Sequence, residues 1–83
     1  MKLSLEEGFD IIEAARMEYG FGKDERRVSE AVQRLQDGKG TEEDVAVLRD
    51  LGVDMKCGIL NGRQNAAIRA IERLNNEWRL NNE

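Results

Sequence analysis

Apolar residues recur along this chain at alternating intervals of three and four, and no stretch shows the strict alternation of a half-buried strand. The longest such run is NGRQNAAIRAIERLNNEWRL, from Asn61 to about Leu80. Within it Leu60, Gln64, Ala67, Ile71, Leu74 and Trp78 form one stripe, with Ile68 alongside. That spacing predicts a packed helix over residues 61–80, with Asn61 as N-cap and Gln64 completing a capping box. A second helix is expected over 5–19, opened by the capping box Ser4-Leu5-Glu6-Glu7, with an inward stripe of Leu5, Gly8, Phe9, Ile12, Ala15 and Tyr19, widened by Ile11.

Between these two, Gly20 and Gly22 break the first helix, and Phe21 is expected to anchor the turn in the core. Asp24 caps a helix over 25–36 that buries Val28, Ala31, Val32 and Leu35. Asp37-Gly38-Lys39-Gly40 ends it. Thr41 then caps a helix over 42–51 with Glu42, Glu43 and Asp44 in its first turn, where the helix dipole favours carboxylates. Val45, Leu48 and Leu51 face inward, Val47 lies beside them, and Gly52 closes the helix. Residues 53–60 read as either a turn of helix or a loop. The pattern predicts an all-α fold, a small four-helix domain with a long C-terminal helix spanning residues 1–83, its tail Asn81-Asn82-Glu83 frayed.

Composition narrows what such a domain does. With no histidine and one cysteine, Cys57, the chain forms no intrachain disulfide and cannot assemble a Cys/His zinc site. No loop carries the acidic pattern of a calcium site, so no metal and no cofactor is expected. The missing histidine also removes the commonest general base and the Ser-His and Cys-His nucleophile pairs, and a non-enzymatic protein is expected. Cys57, next to Lys56, reads as a small buried or half-buried residue. Gly20-Phe21-Gly22-Lys23 lacks the spacing, the following Ser or Thr and the preceding strand of a phosphate loop. The opening MKLSLEEGFD has no apolar core of signal-peptide length, no run approaches a membrane span, and a lone thiol suits a reducing compartment. A cytoplasmic protein without membrane contact is expected.

Charge is polarised. Residues 1–22 hold two basic and five acidic side chains, 23–60 seven and nine, and 61–83 four and three, within a net charge of −4. Glu6, Asp10 and Glu13 fall on one face of the first helix, at intervals of four and three with no cation among them, and read as a ridge for docking a basic protein surface. On the last helix, Ile71, Leu74 and Trp78 read as a homodimer interface, because a helix of ~20 residues is ~30 Å long and should overhang its shorter neighbours.

Nucleic acid is the alternative. Thr41 to Leu74, with a cap at Thr41, Leu51-Gly52-Val53 at the turn and Asn61-Gly62 after a second short helix, resembles a helix-turn-helix of the phage-repressor kind. It departs from that pattern in a first helix about two residues too long, in Leu48 where a small residue belongs, and in an apolar recognition segment, Met55 to Leu60. The resemblance implies a small DNA-binding regulator, for which Arg63, Arg69, Arg73 and Arg79 would contact phosphates. The primary expectation is a small regulatory or inhibitory protein acting by protein–protein binding, of the sort phages and mobile elements encode.

Overall fold

The computed structural model describes residues 2–81, and within them the chain forms four helices: α1 (Leu5–Tyr19), α2 (Lys23–Gln36), α3 (Glu42–Met55) and α4 (Gly62–Asn81). Asn82 and Glu83, expected to fray, lie outside the described residues; Asn81 closes the last helix. The fold is all-α with a long final helix. α1 packs on α2 and α4, α3 packs on the same two, and α1 touches α3 lightly. α1 runs antiparallel to both α2 and α4. Gly8 lies against Gln36 while Arg16 bonds Glu25, and Glu7 bonds Arg73 while Met17 meets Asn61.

The capping chemistry is where the spacing put it. Ser4 accepts from the Glu7 N–H while Glu7 accepts from the Ser4 N–H, each at 3.0 Å. Thr41 and Asp44 form the same box at α3, and Asn61 and Gln64 form it at α4. Asp44 does double duty: its buried carboxylate also takes a bidentate fork from Arg34 Nε and Nη2 at 2.7–3.1 Å, tying the end of α2 to the start of α3.

Two expected boundaries shift. α2 starts at Lys23, with Gly22 as its N-cap, so Asp24 falls in the first turn beside Glu25. Glu25 is buried there and accepts from Arg16 Nε and Ser29 Oγ, which fixes the helix start without a side-chain cap. α3 does not stop at Gly52 but runs to Met55, whose side chain is fully buried. Gly52 sits inside the helix facing Ile71, and the burial of Leu51 and Met55 on either side outweighs glycine's cost of ~1 kcal/mol in a helix. Residues 56–61 connect α3 to α4 outside any helix.

The core is aliphatic. Val28, Ala31, Val32 and Leu35 of α2, Val45, Leu48 and Leu51 of α3, and Ala67, Ile68, Ile71 and Leu74 of α4 are buried as the pattern required. Leu3, ahead of α1, is buried as well and adds a layer beyond the first helix, its N–H reaching the Leu35 carbonyl at 3.4 Å. It belongs to the same core cluster as Ile71 and Leu74 of α4. Leu74 is 0% exposed and Ile71 4%, and Trp78 is half-buried and packed against the core, so the expected free apolar overhang is used within the molecule.

α1 departs furthest from expectation. Its buried side is Gly8, Ile11, Ala14 and Ala15, whereas Leu5 is 82% and Phe9 55% exposed. Phe21, expected as a core anchor, is 82% exposed, and Cys57 is exposed too. A methyl group on Gly8 would stand 2.9 Å from Val32 Cγ1, so α1 lies too close to α2 for larger side chains on its inner side.

The glycines give a direct check. A Cβ at Gly52 would meet Ile71 Cγ2 at an ordinary 3.7 Å, so Gly52→Ala should raise stability by ~0.5–1 kcal/mol. At Gly40 it would meet buried Leu35 Cδ2 at 2.2 Å, so Gly40→Ala should lower stability by ~1–3 kcal/mol. Urea unfolding of the two variants, followed by circular dichroism, should move the midpoint in opposite directions.

Candidate interaction surface on the first helix

α1 is apolar on two sides. Its inner side closes the core, while on its outer side Leu5, Phe9, Ile12 and Arg16 follow one another at intervals of four, three and four. Ile12 is half-buried and leans on the core edge; Leu5 and Phe9 stand in solvent. Leaving a phenylalanine or leucine exposed forgoes ~1.5–3 kcal/mol of burial in a domain small enough to need it. Both phenylalanines of the chain lie outside the core in this way.

Each ring is covered by a guanidinium instead. Arg63, from the start of α4, lies 4.8 Å from the Phe9 centroid, and Arg16 lies 5.2 Å from that of Phe21. Such stacking favours the cation electrostatically and holds the rings in place. Arg16 is further fixed by Glu13 Oε1 at 2.9 Å and Glu25 Oε2 at 3.2 Å.

The three expected acidic residues flank this outer seam. Glu6 is exposed, Asp10 and Glu13 are half-buried, and only Glu13 has an ion-pair partner among the described residues. Helix α1 as a whole carries Glu6, Glu7, Asp10, Glu13 and Glu18 against Arg16 alone, a balance equal to the −4 of the entire chain. α3 carries the same balance, with Glu42, Glu43, Asp44, Asp50 and Asp54 against Arg49, so α1 is one of two acidic helices. The ridge's apolar partner residues escaped the sequence reading because Leu5 and Phe9 share a helix with a legitimate inner stripe. The informative signal was the run of small residues, Gly8, Ala14 and Ala15, which marks the side that must approach neighbouring backbones.

The other candidates fare differently. The helix-turn-helix arrangement does not form: Leu51 to Val53 lie inside α3, and Lys56 to Leu60 are not helical. Of the four arginines of α4, Arg73 is committed to Glu7 at 2.7 and 2.9 Å, to Glu77 at 2.8 Å and to the Lys2 carbonyl. Arg63 covers Phe9, and Arg79 reaches the Asn76 side chain at 3.5 Å. Arg69 is exposed and makes no ion pair among the described residues. Ile71 and Leu74 are sealed in the core, which leaves Trp78 as the one partly accessible member of the expected dimer interface.

A shallow cleft of about 180 Å³ between α2 and α3 is lined by Tyr19, Asp24, Arg27, Asp50 and Asp54 among others. There Tyr19 donates to Asp54 Oδ2 at 2.5 Å; burial and that carboxylate both push the phenol's pKa up, so it is protonated at neutral pH and unfit as a base. No cluster of acidic or thiol side chains among the described residues is placed to hold a metal ion, and no helix is long and apolar enough to cross a membrane. Comparison with family models, curated proteins and solved structures finds no match to the chain.

The ion pairs around this surface set an acid limit. Burial raises the Glu7 pKa, but the Ser4 N–H and Arg73 outweigh it and hold the carboxyl below its ordinary 4.5; Arg34 and the Thr41 N–H hold Asp44 below 3.8. Groups lowered on folding stabilise fully above their ordinary values and lose that stabilisation as pH falls through the folded ones. The urea midpoint should therefore drop between about pH 5 and pH 2. In Arg73→Gln the drop should be shallower, because Glu7 then keeps only its Ser4 contacts.

Proposed function

We propose that this protein is a non-enzymatic binding module, regulatory or inhibitory in role, that docks a basic protein surface through the outer face of α1. The observation that carries this reading is the coincidence of Leu5 and Phe9, exposed and apolar, with the line of Glu6, Asp10 and Glu13 on the same helix. Interfaces combine an apolar centre with a charged rim in this way, the rim setting association rate and partner choice. The absence of histidine and the protonated state of Tyr19 favour binding over catalysis. A reducing, cytoplasmic setting suits the exposed single thiol of Cys57.

DNA binding is the weaker reading, since Arg73 is consumed by ion pairs and Arg63 by Phe9. Self-association through Ile71 and Leu74 is not carried forward, both side chains being inside the core.

Affinity capture from extracts of the native host tests the proposal against its alternative. Glu6→Lys with Asp10→Lys should reduce recovery of the bound protein on the order of tenfold, and Arg69→Glu with Arg79→Glu should leave it unchanged. The reverse pattern, joined to a DNA gel shift at low salt, would establish the nucleic-acid reading instead.

A further inference from the structure

Two glycines sit in helix interiors, where glycine lowers stability, and the packing requires only one of them. A side chain on Gly8 would collide with Val32, whereas a Cβ on Gly52 would meet only Ile71 Cγ2, at an ordinary 3.7 Å. The space that Gly52 leaves open belongs to a cleft of about 140 Å³ between α3 and α4. Gly52, Ile68 and Ile71 form its apolar floor, and the exposed side chain of Val53 extends that floor outward.

Cations gather at this cleft. Arg49 of α3 and Lys56 at the helix's C-cap both line it, seven residues apart. Lys56 holds Glu72, the one carboxylate of the cleft, at 2.9 Å, while Arg49 makes no ion pair among the described residues. The acids of α3 lie elsewhere. Asp50 and Asp54 line the cleft toward α2, and Glu43 and Asp44 line the one beside Arg34. Glu42, exposed at the helix start, stands two turns from Arg49, about 10 Å along the axis. Arg69, exposed next to Ile68 on α4, adds a further cation without an ion pair among the described residues. The cleft is therefore locally positive on a chain of net charge −4.

We infer that this cleft is a second docking site, which takes one Leu-, Ile- or Phe-sized side chain from an acidic segment of another protein, with a neighbouring carboxylate of that segment on Arg49. Size selects the anchor. Sites for whole small molecules enclose roughly 300–1,000 Å³, whereas a space of ~150 Å³ accepts a group the size of benzene. Charge selects what flanks it, since Arg49 has no acid of its own. Gly52 keeps the floor open at a cost in stability, the trade made at positions that serve binding. The site shares no residue with the outer face of α1 and does not rest on the function proposed for that face.

A second copy of this chain offers Leu5, exposed beside Glu6, as a segment of this kind. Seating it in the cleft joins unlike surfaces, so the contact repeats from copy to copy into an open chain unless it closes as a ring. Each added copy also brings a further charge of −4, so growth works against its own repulsion. A separate protein with a short acidic and apolar segment meets neither obstacle.

The test uses the full chain, labelled with nitrogen-15, and three end-blocked peptides: Ala-Glu-Leu-Glu-Ala, Ala-Lys-Leu-Lys-Ala and Ala-Glu-Ala-Glu-Ala. In an NMR titration the first should shift the amides of Gly52, Val53, Ile68 and Glu72, and bind at least about tenfold tighter than either of the others. Gly52→Leu fills the floor and should abolish binding. Gly52→Ala, which should raise the urea midpoint, should weaken binding about threefold, so that stability and affinity move in opposite directions. Arg49→Glu, at an exposed and unpaired position, should weaken the first peptide about tenfold and favour the Lys peptide.

Shifts centred on α1 or α2, equal binding of either control peptide, or no shift at millimolar peptide would overturn the site. So would affinity indifferent to both Gly52→Ala and Arg49→Glu. Sedimentation showing self-association that Arg49→Glu and Leu5→Ala each dissolve would overturn the separate partner in favour of a second copy.

Discussion

The close approach of α1 to α2 governs the rest of this molecule. Gly8 leaves no room for a side chain against Val32 and Gln36, and Ala14 and Ala15 continue that thin inner side along the helix. A helix held at such short range can bury only small residues and one Ile, Ile11. The large side chains it carries, Leu5 and Phe9, have no inward position left and are turned to solvent. The exposed apolar seam is in this sense produced by the packing of the core, and the same small residues that close the bundle leave it uncovered.

Around that constraint the bundle is closed by polar ties at helix ends. Arg34 joins α2 to α3 through Asp44, and Arg73 joins α4 to α1 through Glu7, with the segment before α1 held by Leu3 in the core and by the Lys2 carbonyl. Partly exposed pairs of this kind each contribute little on their own, but they fix which helix end meets which. Of the α4 arginines, Arg73 is bound to Glu7 and Glu77 and Arg63 lies over Phe9, which interrupts the basic stripe of that helix.

Much of the fold was legible in the sequence because it rests on local chemistry. The capping boxes at Ser4, Thr41 and Asn61 are reciprocal bonds over three residues, and the stripes of α2, α3 and α4 are single and unambiguous. What was not legible depends on contacts distant in sequence. Gly52 reads as a stop until Ile71 is seen facing it, and Leu3, outside every predicted stripe, is buried with its N–H on the Leu35 carbonyl. The candidate site divides the same way. Glu6, Asp10 and Glu13 were recognisable from spacing alone. Phe9 and Phe21 were assigned to the core because size favours burial; the proximity of α2 keeps Phe9 outside, and Phe21 lies in the turn under Arg16. Ile71 and Leu74 were assigned to a free surface, whereas both are buried in the core, Ile71 facing Gly52 of α3.

A helix with two apolar faces has a consequence for how the chain reaches this structure. α1 is made first and its partner α4 last, so the side that belongs in the core stays uncovered along one flank while the rest of the chain is completed. During that interval both faces of α1 compete for the same neighbours, and the outer one offers the larger hydrophobic side chains. Selection of the native face falls to steric fit, since Leu5 and Phe9 cannot occupy the space beside Val32, and to Arg73, which clasps Glu7 once α4 arrives. The exposed apolar seam of α1 is thus a source of local frustration in folding, relieved when the last helix docks.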